Sequence, residues 1–135
     1  MTAYRARLTE SDIRRLIKSD AEDDRAAAAH KLCRSIDRMQ MDDADRAAAQ
    51  KILTVMANDT AELVRRALAV TLRASDLMPR EVARRLAADA DSVALPIIAC
   101  SPAFTDDDLI EIVRAGSVVR QNAVASRDRV PRDVA

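Results

Sequence analysis

The sequence Pro-Arg-Glu-Val-Ala at residues 79–83 recurs as Pro-Arg-Asp-Val-Ala at residues 131–135. The copies begin 52 positions apart, and Thr-Asp-Asp-Asp-Leu at residues 105–109 begins halfway between them. A second pair of similar segments, residues 91–94 and 117–120, keeps the same step of 26 positions. Repetition at this step, with two helices in each unit, is typical of an α-solenoid, in which each helix pair packs on the next. The repeats therefore favour a solenoid over a closed helical bundle, the other architecture for antiparallel helices with short loops.

The composition predicts a single all-α domain. A chain of 135 residues with 49% hydrophobic and 33% charged residues is too apolar to be disordered, and its length suits one domain. One glycine and four prolines leave little material for β-turns. Lys plus Arg number 22, as do Asp plus Glu, so the net charge is zero. This balance gives no support to binding of nucleic acid or of a membrane surface.

Capping residues and hydrophobic periodicity predict about eight helices. They are expected near residues 9–19, 21–39, 42–58, 61–74, 79–88, from 92 onwards, 105–116 and 117–126. The third of these helices is expected to turn Ala48, Ile52, Val55 and Met56 inward. In the sixth, Pro96 is expected at the fourth residue, where its missing N–H would have had no intrahelical partner. Gly116 is expected to end the seventh helix.

The segment Asp-Thr-Ala-Glu-Leu-Val-Arg-Arg-Ala-Leu-Ala at residues 59–69 resembles the second helix of a HEAT repeat. That helix typically opens with Asp and carries Val-Arg six residues on. The resemblance implies an α-solenoid of HEAT-like antiparallel helix pairs, in which Asp59 and Arg65 belong to a hydrogen-bonded ladder between successive repeats. Arg120 matches the arginine position in a later repeat, whereas Leu95 breaks the pattern. The ladder is therefore expected to be interrupted.

Most of the chain is also similar to one group of HEAT-like proteins, the alphaproteobacterial family catalogued as domain of unknown function 2336. The similarity is carried by residues 77–83, 95–98, 101–102, 107–112 and 116–125. Members usually run well beyond this length, so the resemblance implies that residues 1–135 are a single HEAT-like domain at the N-terminal end of a longer protein. The helix start copied at residues 131–135 would then be an unfinished repeat, and its uncapped end is a candidate surface for self-association.

Residues that commonly carry chemistry are few and scattered. His30 is the only histidine, and with two distant cysteines, Cys33 and Cys100, it cannot supply the ligands of a zinc site. Both cysteines are expected to be reduced, buried and structural. The triplet at residues 106–108 is interpreted as helix capping and not as a metal site. A single glycine excludes the common nucleotide-binding and hydrolase motifs, so no catalytic residue, metal or cofactor is predicted.

The arginines are the remaining signal, since 19 of them stand against three lysines. A cluster of five could grip phosphate or the carboxylates of a partner. The alternative, which we favour, is that they pair with acidic residues nearby. The arginines concerned are Arg65, Arg66, Arg80, Arg84 and Arg85, and the nearby acids are Glu62, Glu81 and Asp89.

We interpret the chain as a non-enzymatic protein–protein interaction module, scaffolding or regulatory, that acts in the bacterial cytoplasm on an unidentified protein partner. Neither a signal peptide nor an apolar run long enough to cross a membrane is visible in the sequence. The second helices of the pairs are expected to present the binding face. That face is expected to include Arg65, Arg66, Thr71, Gln121 and Asn122.

Two other functions were weighed. A nucleic-acid-binding HEAT-like protein related to DNA-repair glycosylases would want a basic groove and aromatic residues, but the net charge is zero and Tyr4 and Phe104 are the only aromatic residues. A HEAT-like lyase acting on a bound pigment would want a reactive residue in a cleft, and Cys33 and Cys100 are poor candidates. Binding that weakens steeply with salt would distinguish the nucleic-acid hypothesis from the others.

Overall fold

The described part of the chain is built entirely from helices. The computed structural model describes residues 20–38 and 40–128, and within these ranges it contains seven α-helices and no strand. The helices are α1 (Glu22–Arg38), α2 (Asp43–Ala57), α3 (Glu62–Thr71), α4 (Arg80–Ala87), α5 (Asp91–Cys100), α6 (Asp106–Ala115) and α7 (Val118–Ala125). The predicted all-α class is confirmed. The helix predicted at residues 9–19 and the repeated motif at residues 131–135 lie outside the described residues.

Helices two positions apart in the chain contact one another in succession. The chief contacts join α1 to α3, α3 to α5 and α5 to α7, and we call these four helices the long row. Each of α2, α4 and α6 packs on the helix that follows it, and α2 also contacts α4. Two clusters of buried apolar residues hold these contacts, and Phe104 packs against both. The second cluster comprises Ala87, Ala94, Ile98, Leu109 and Val124.

Several helix starts follow the predicted capping. The side chain of Asp42 accepts a hydrogen bond from the amide of Asp45 at 2.8 Å. Thr105 and Asp108 form a capping box at the start of α6, and Ser117 caps α7. These side chains satisfy amides that have no partner within the helix. The predicted starts of α2, α6 and α7 are therefore confirmed to within one residue.

The buried face of α2 differs from the prediction. Ala48 and Val55 were expected to point inward, but both are exposed, Val55 to 52%. Met56 is buried as predicted and Ile52 is half-buried, but the helix also buries Ala49 and Leu53, so the true face is rotated by about one residue. A run of three alanines at residues 47–49 gives no hydrophobic contrast by which to choose between neighbouring registers.

Helix α5 begins at Asp91, two residues earlier than predicted, so Pro96 is its sixth residue and not its fourth. At that position the missing N–H removes a bond that the carbonyl of Ser92 would otherwise accept. Ser92 is exposed, so water can satisfy this carbonyl. The helix continues to Cys100 because it buries Val93 and Ile97 on the core side.

Gly116 ends α6 as predicted, but not through a left-handed conformation. Its φ is −89°, in the extended region that any residue adopts. The need for glycine comes instead from close packing, since a Cβ atom here would lie 2.5 Å from the carbonyl oxygen of Ile112. Any side chain would therefore force the end of α6 to move.

Candidate interaction surfaces

An arginine–aspartate ladder links neighbouring helices of the long row. Arg25 on α1 donates from Nη2 to Oδ1 of Asp59, which lies before α3, at 3.3 Å. Arg65 on α3 donates to both carboxylate oxygens of Asp89, which lies before α5, at 2.6 and 3.2 Å. Each arginine therefore reaches forward to the aspartate that precedes the next helix of the row.

The side chains of Asp59 and Arg65 do not pair with each other. Arg65 Nη1 donates to the main-chain carbonyl of Asp59 at 2.8 Å and not to its carboxylate. The Asp59 carboxylate accepts from Arg25 and from the amide of Ala61 instead. The side-chain bonds therefore run from one helix of the long row to the aspartate that precedes the next. At Leu95, which the sequence identified as a break, α5 has no arginine to continue them.

Arg120 and its neighbour Gln121 cap two other helices from the first turn of α7. The Arg120 guanidinium donates to the carbonyls of Ala87 and Asp89, at the C-terminal end of α4. Gln121 Nε2 donates to the carbonyl of Val113 at 2.9 Å, near the end of α6. Both side chains thus satisfy carbonyls that lack intrahelical partners. Arg120 reaches backward along the chain, opposite to the direction of the ladder.

The acidic triplet before α6 performs the predicted capping and also makes a contact that the sequence did not reveal. Asp106 and Asp107 are exposed, whereas Asp108 is only 4% exposed. The Asp108 carboxylate accepts two hydrogen bonds from Arg80 on α4, both of 2.8 Å. Arg84 lies 3.5 Å away. The capping box Thr-x-x-Asp was a visible signal, but nothing in the sequence marked Arg80 as its partner 28 residues earlier.

The buried ends of these ion pairs remain ionised at neutral pH. Burial alone would raise the pKa of the Asp89 carboxyl, but hydrogen bonds from Arg65 and from the Ala90 amide hold it below its usual value. The hydrogen bonds from Arg80 hold the pKa of Asp108 far below its usual range, against the opposing effect of burial. The Asp89 and Asp108 carboxylates therefore hold their arginine partners in place and do not take up or release a proton near pH 7.

The five residues predicted for the binding face have different roles. Arg65 and Gln121 are held in the structural contacts above. Arg66 and Asn122 are exposed, and Thr71 is half-buried with its Oγ1 3.0 Å from Nδ1 of His30. Arg66 and Thr71 belong to α3 and Asn122 to α7, with α5 between those two helices in the long row. The structure therefore does not gather the five residues into one patch.

Exposed apolar side chains are concentrated on α3 and α7. The described residues include five large hydrophobic side chains that are exposed, and four of them lie on these two helices. They are Leu63 at 40%, Val70 at 41%, Val118 at 68% and Val119 at 49%. Leu63, Arg66 and Val70 share one stripe of α3, because residues three and seven positions apart lie on one helix face. We call these three residues, together with Val118 and Val119, the α3/α7 surface; it consists of two separate patches, because α5 lies between α3 and α7 in the long row.

A cavity of about 540 Å³ lies between α4 and α6 and is separate from that surface. Its walls come from the C-terminal half of α4, the loop before α6, α6 itself and the start of α7. Its lining includes Arg84, Arg85, Phe104, Ile112 and Arg120. Charged and apolar groups therefore meet in one space.

Comparisons with known proteins find one match, to a family of uncharacterised proteins conserved in bacteria, domain of unknown function 2336. The match covers residues 93–135, which include almost all of α5 and the whole of α6 and α7. The chain resembles this family over that stretch. Neither the curated proteins nor the solved structures give a significant match to the chain.

The two cysteines differ in accessibility, which corrects the prediction that both are buried. Cys33 is buried with its Sγ 3.6 Å from Sδ of Met56, and burial, with the nearby charge of Asp37, raises the pKa of its thiol to about 12. Cys100 is exposed, because α5 buries Ile97 and Ile98 and the last residue falls on another face. Cys100 does not line the cavity between α4 and α6.

No group of three or more His, Cys, Asp or Glu side chains within residues 20–38 and 40–128 could hold a metal ion. Over the same ranges, the helices are too short or too polar for any of them to span a bilayer.

Proposed function

We propose that the protein is a non-enzymatic interaction module, scaffolding or regulatory, in the bacterial cytoplasm, and that its helix pairs stack as a HEAT-like solenoid. The succession of contacts along the long row supports such stacking, as does the ladder from Arg25 to Asp59 and from Arg65 to Asp89. A stack of this kind presents equivalent helices side by side and binds a partner on an extended surface without a deep active site.

The observation that carries the proposal is the α3/α7 surface. Single exposed hydrophobic residues are normal on a soluble protein and need no explanation. Here, however, four of the five in the described residues belong to two helices of one row, and on α3 two of them flank Arg66. Arginine surrounded by apolar side chains is typical of the energetically important part of a protein interface.

The same surface indicates the chemistry of the partner. Arg66 is exposed and makes no ion pair with the described residues, so its guanidinium is available to a carboxylate. Leu63 and Val70, one turn or more to either side, would contact apolar side chains of the partner. A protein segment that alternates apolar and acidic residues at helical spacing fits this stripe.

Site-specific crosslinking tests the proposal, with Val55 as the matched control. Val55 and Val70 are both exposed valines, but Val55 lies on α2, outside the long row. A photoreactive residue placed at position 70 in a bacterium that carries the protein should crosslink one discrete protein, and one placed at position 55 should not. Leu63→Glu and Val70→Glu should abolish copurification of that protein, whereas Val55→Glu should leave it unchanged.

The opposite outcomes would contradict the proposal. Equal crosslinking from positions 55 and 70, or copurification that survives both glutamate substitutions, would remove the α3/α7 surface as the binding face. Binding of DNA that weakens steeply as salt rises would favour the nucleic-acid alternative, because phosphate contacts release counterions.

A further inference from the structure

Small residues line the cavity between α4 and α6 toward the C-terminal ends of both helices. Toward the start of both helices, Arg80 and Asp108 bridge the gap. Toward their ends, Ala87 and Ala88 lie on one side and Ala115 on the other, and none of them carries a side chain beyond Cβ. The resulting volume of about 540 Å³ falls within the range of small-molecule sites.

Two neighbouring arginines on one wall have hydrogen-bonding capacity to spare. Arg85 donates from Nε to the carbonyl of Ala57 at 3.3 Å, and no partner for its two Nη groups is found among the described residues. Arg84 contacts Asp108 and Glu111 only loosely, at 3.5 and 3.9 Å. Good charge-assisted hydrogen bonds are shorter than 3 Å, so both guanidinium groups can accept a better anionic partner.

The remainder of the lining is apolar or already engaged. Ile112, Phe104 and the alanines supply an apolar surface beside the two arginines. Arg120 also lines the cavity, but its Nη groups are committed to main-chain carbonyls and to the Asp91 carboxylate. Glu111 lies on the rim and is the one lining carboxylate that would oppose an anion, since Asp108 is neutralised by Arg80 and Arg84.

We propose that this cavity binds a small organic anion, a carboxylate or phosphate group carried on an apolar body. Arg84 and Arg85 hold the anionic group, replacing the loose contact between Arg84 and Glu111. Ile112 and Phe104 contact the apolar body. No residue of the α3/α7 surface lines the cavity, so anion binding here does not depend on the proposed protein interaction.

Matched eight-carbon probes test the proposal on the full chain. Octanoate, octyl phosphate and 1-octanol share the same tail, and acetate and inorganic phosphate lack it. Calorimetric titration should show saturable binding of octanoate, octyl phosphate or both, and an affinity for 1-octanol at least about tenfold lower, as expected when charge-assisted hydrogen bonds are lost. Amide chemical shifts should move at residues 84–88 and 111–117. Whichever anion binds more tightly identifies the group as a carboxylate or a phosphate.

Substitutions distinguish binding at this cavity from non-specific binding of the eight-carbon tail. The double change Arg84→Gln and Arg85→Gln should lower affinity at least about tenfold, whereas Arg34→Gln, at an exposed arginine of α1 outside the cavity, should leave it unchanged. Ala88→Leu keeps both charges and places a larger side chain in the cavity, so it should lower affinity at least about tenfold while far-UV circular dichroism stays native. Glu111→Gln should strengthen binding.

Several results would overturn the site. The first is that neither octanoate nor octyl phosphate shows saturable binding. The second is that 1-octanol binds as tightly as octanoate, or that acetate or inorganic phosphate binds as tightly as the anion with the eight-carbon tail. The third is that affinity is unchanged in both the double arginine variant and Ala88→Leu. Should the double arginine variant fail to fold, Ala88→Leu and Glu111→Gln still decide the question, because each leaves both arginines in place.

Discussion

Replacing Asp108 with alanine should destabilise the protein by about 2 kcal/mol. The Asp108 carboxylate is 4% exposed and accepts the Thr105 amide at 3.0 Å, a helix-capping bond worth about 1 kcal/mol. It also accepts two bonds from Arg80. Hydrogen bonds between charged groups stabilise the folded state most when both groups are buried. Arg80 is half-exposed, so water can solvate its guanidinium once the Asp108 carboxylate is removed. The loss of these two bonds should therefore cost about 1 kcal/mol.

Urea denaturation followed by far-UV circular dichroism measures this change directly. Asp107→Ala is the matched control, because Asp107 occupies the same first turn of α6 but is exposed. It loses only an interaction with the helix dipole, worth about 0.5 kcal/mol. Asp108→Asn, which keeps an acceptor oxygen and removes the charge, should fall between the two.

The destabilisation by Asp108→Ala should also shrink in acid. The folded-state pKa of Asp108 is depressed, so its contribution is fully present above the unfolded pKa of about 3.9 and is lost as pH falls toward the folded value. Between about pH 7 and about pH 3 the difference between wild type and Asp108→Ala should narrow by about 1 kcal/mol. If Asp108→Ala is as stable as Asp107→Ala, or if the difference does not change with pH, the assigned role of this carboxylate is wrong.

Two further predictions concern accessibility and packing. A thiol reagent should label Cys100 in the folded protein and Cys33 only after denaturation. The variant Cys100→Ser should therefore not react in its folded state, and rapid labelling of Cys33 in the folded protein would contradict its burial. Gly116→Ala should lower the free energy of unfolding by about 1–3 kcal/mol, because the added Cβ would collide with the carbonyl oxygen of Ile112. Ala115→Ser changes the neighbouring exposed residue and should leave the free energy of unfolding unchanged. Equal stability of the two variants would show that Gly116 does not lie this close to Ile112.

Local sequence patterns predicted the helices well but did not predict contacts between residues far apart in the chain. Thr105 and Ser117 cap the helices that their side-chain chemistry indicates, since a cap depends only on amides two or three residues away. The buried face of α2 was missed by one residue because alanine neighbours carry no contrast. Which carboxylate an arginine meets depends on how neighbouring helices pack, and that is why Arg80 with Asp108 could not be read from spacing.

The same limit applied to the candidate sites. The sequence placed Arg65 and Gln121 on a binding face, yet both are occupied within the fold. It also placed Cys100 in the core, where the helical register does not bring it. The cavity between α4 and α6 left no local signal at all, because it arises from small side chains contributed by segments about 28 residues apart.

The abundance of arginine has a structural explanation in how these helices end. Helices commonly stop at a glycine in the left-handed conformation, but the described residues contain none with positive φ. Carbonyls at helix ends receive donors from elsewhere instead. Arg85 donates to Ala57 at the end of α2, Arg120 to Ala87 at the end of α4, and Arg127 to Ile98 in the last turn of α5.

Such caps make three helix ends depend on arginines that lie 28 to 33 residues further along the chain. Arg127 illustrates the geometry required, since its Nη1 and Nη2 reach the carbonyls of Ile98 and Ser101, both at 2.7 Å. A planar guanidinium can bridge two carbonyls at fixed spacing, which a lysine ammonium on a flexible stem does less well. These contacts account for Arg85, Arg120 and Arg127, whereas Arg66 of α3 is exposed.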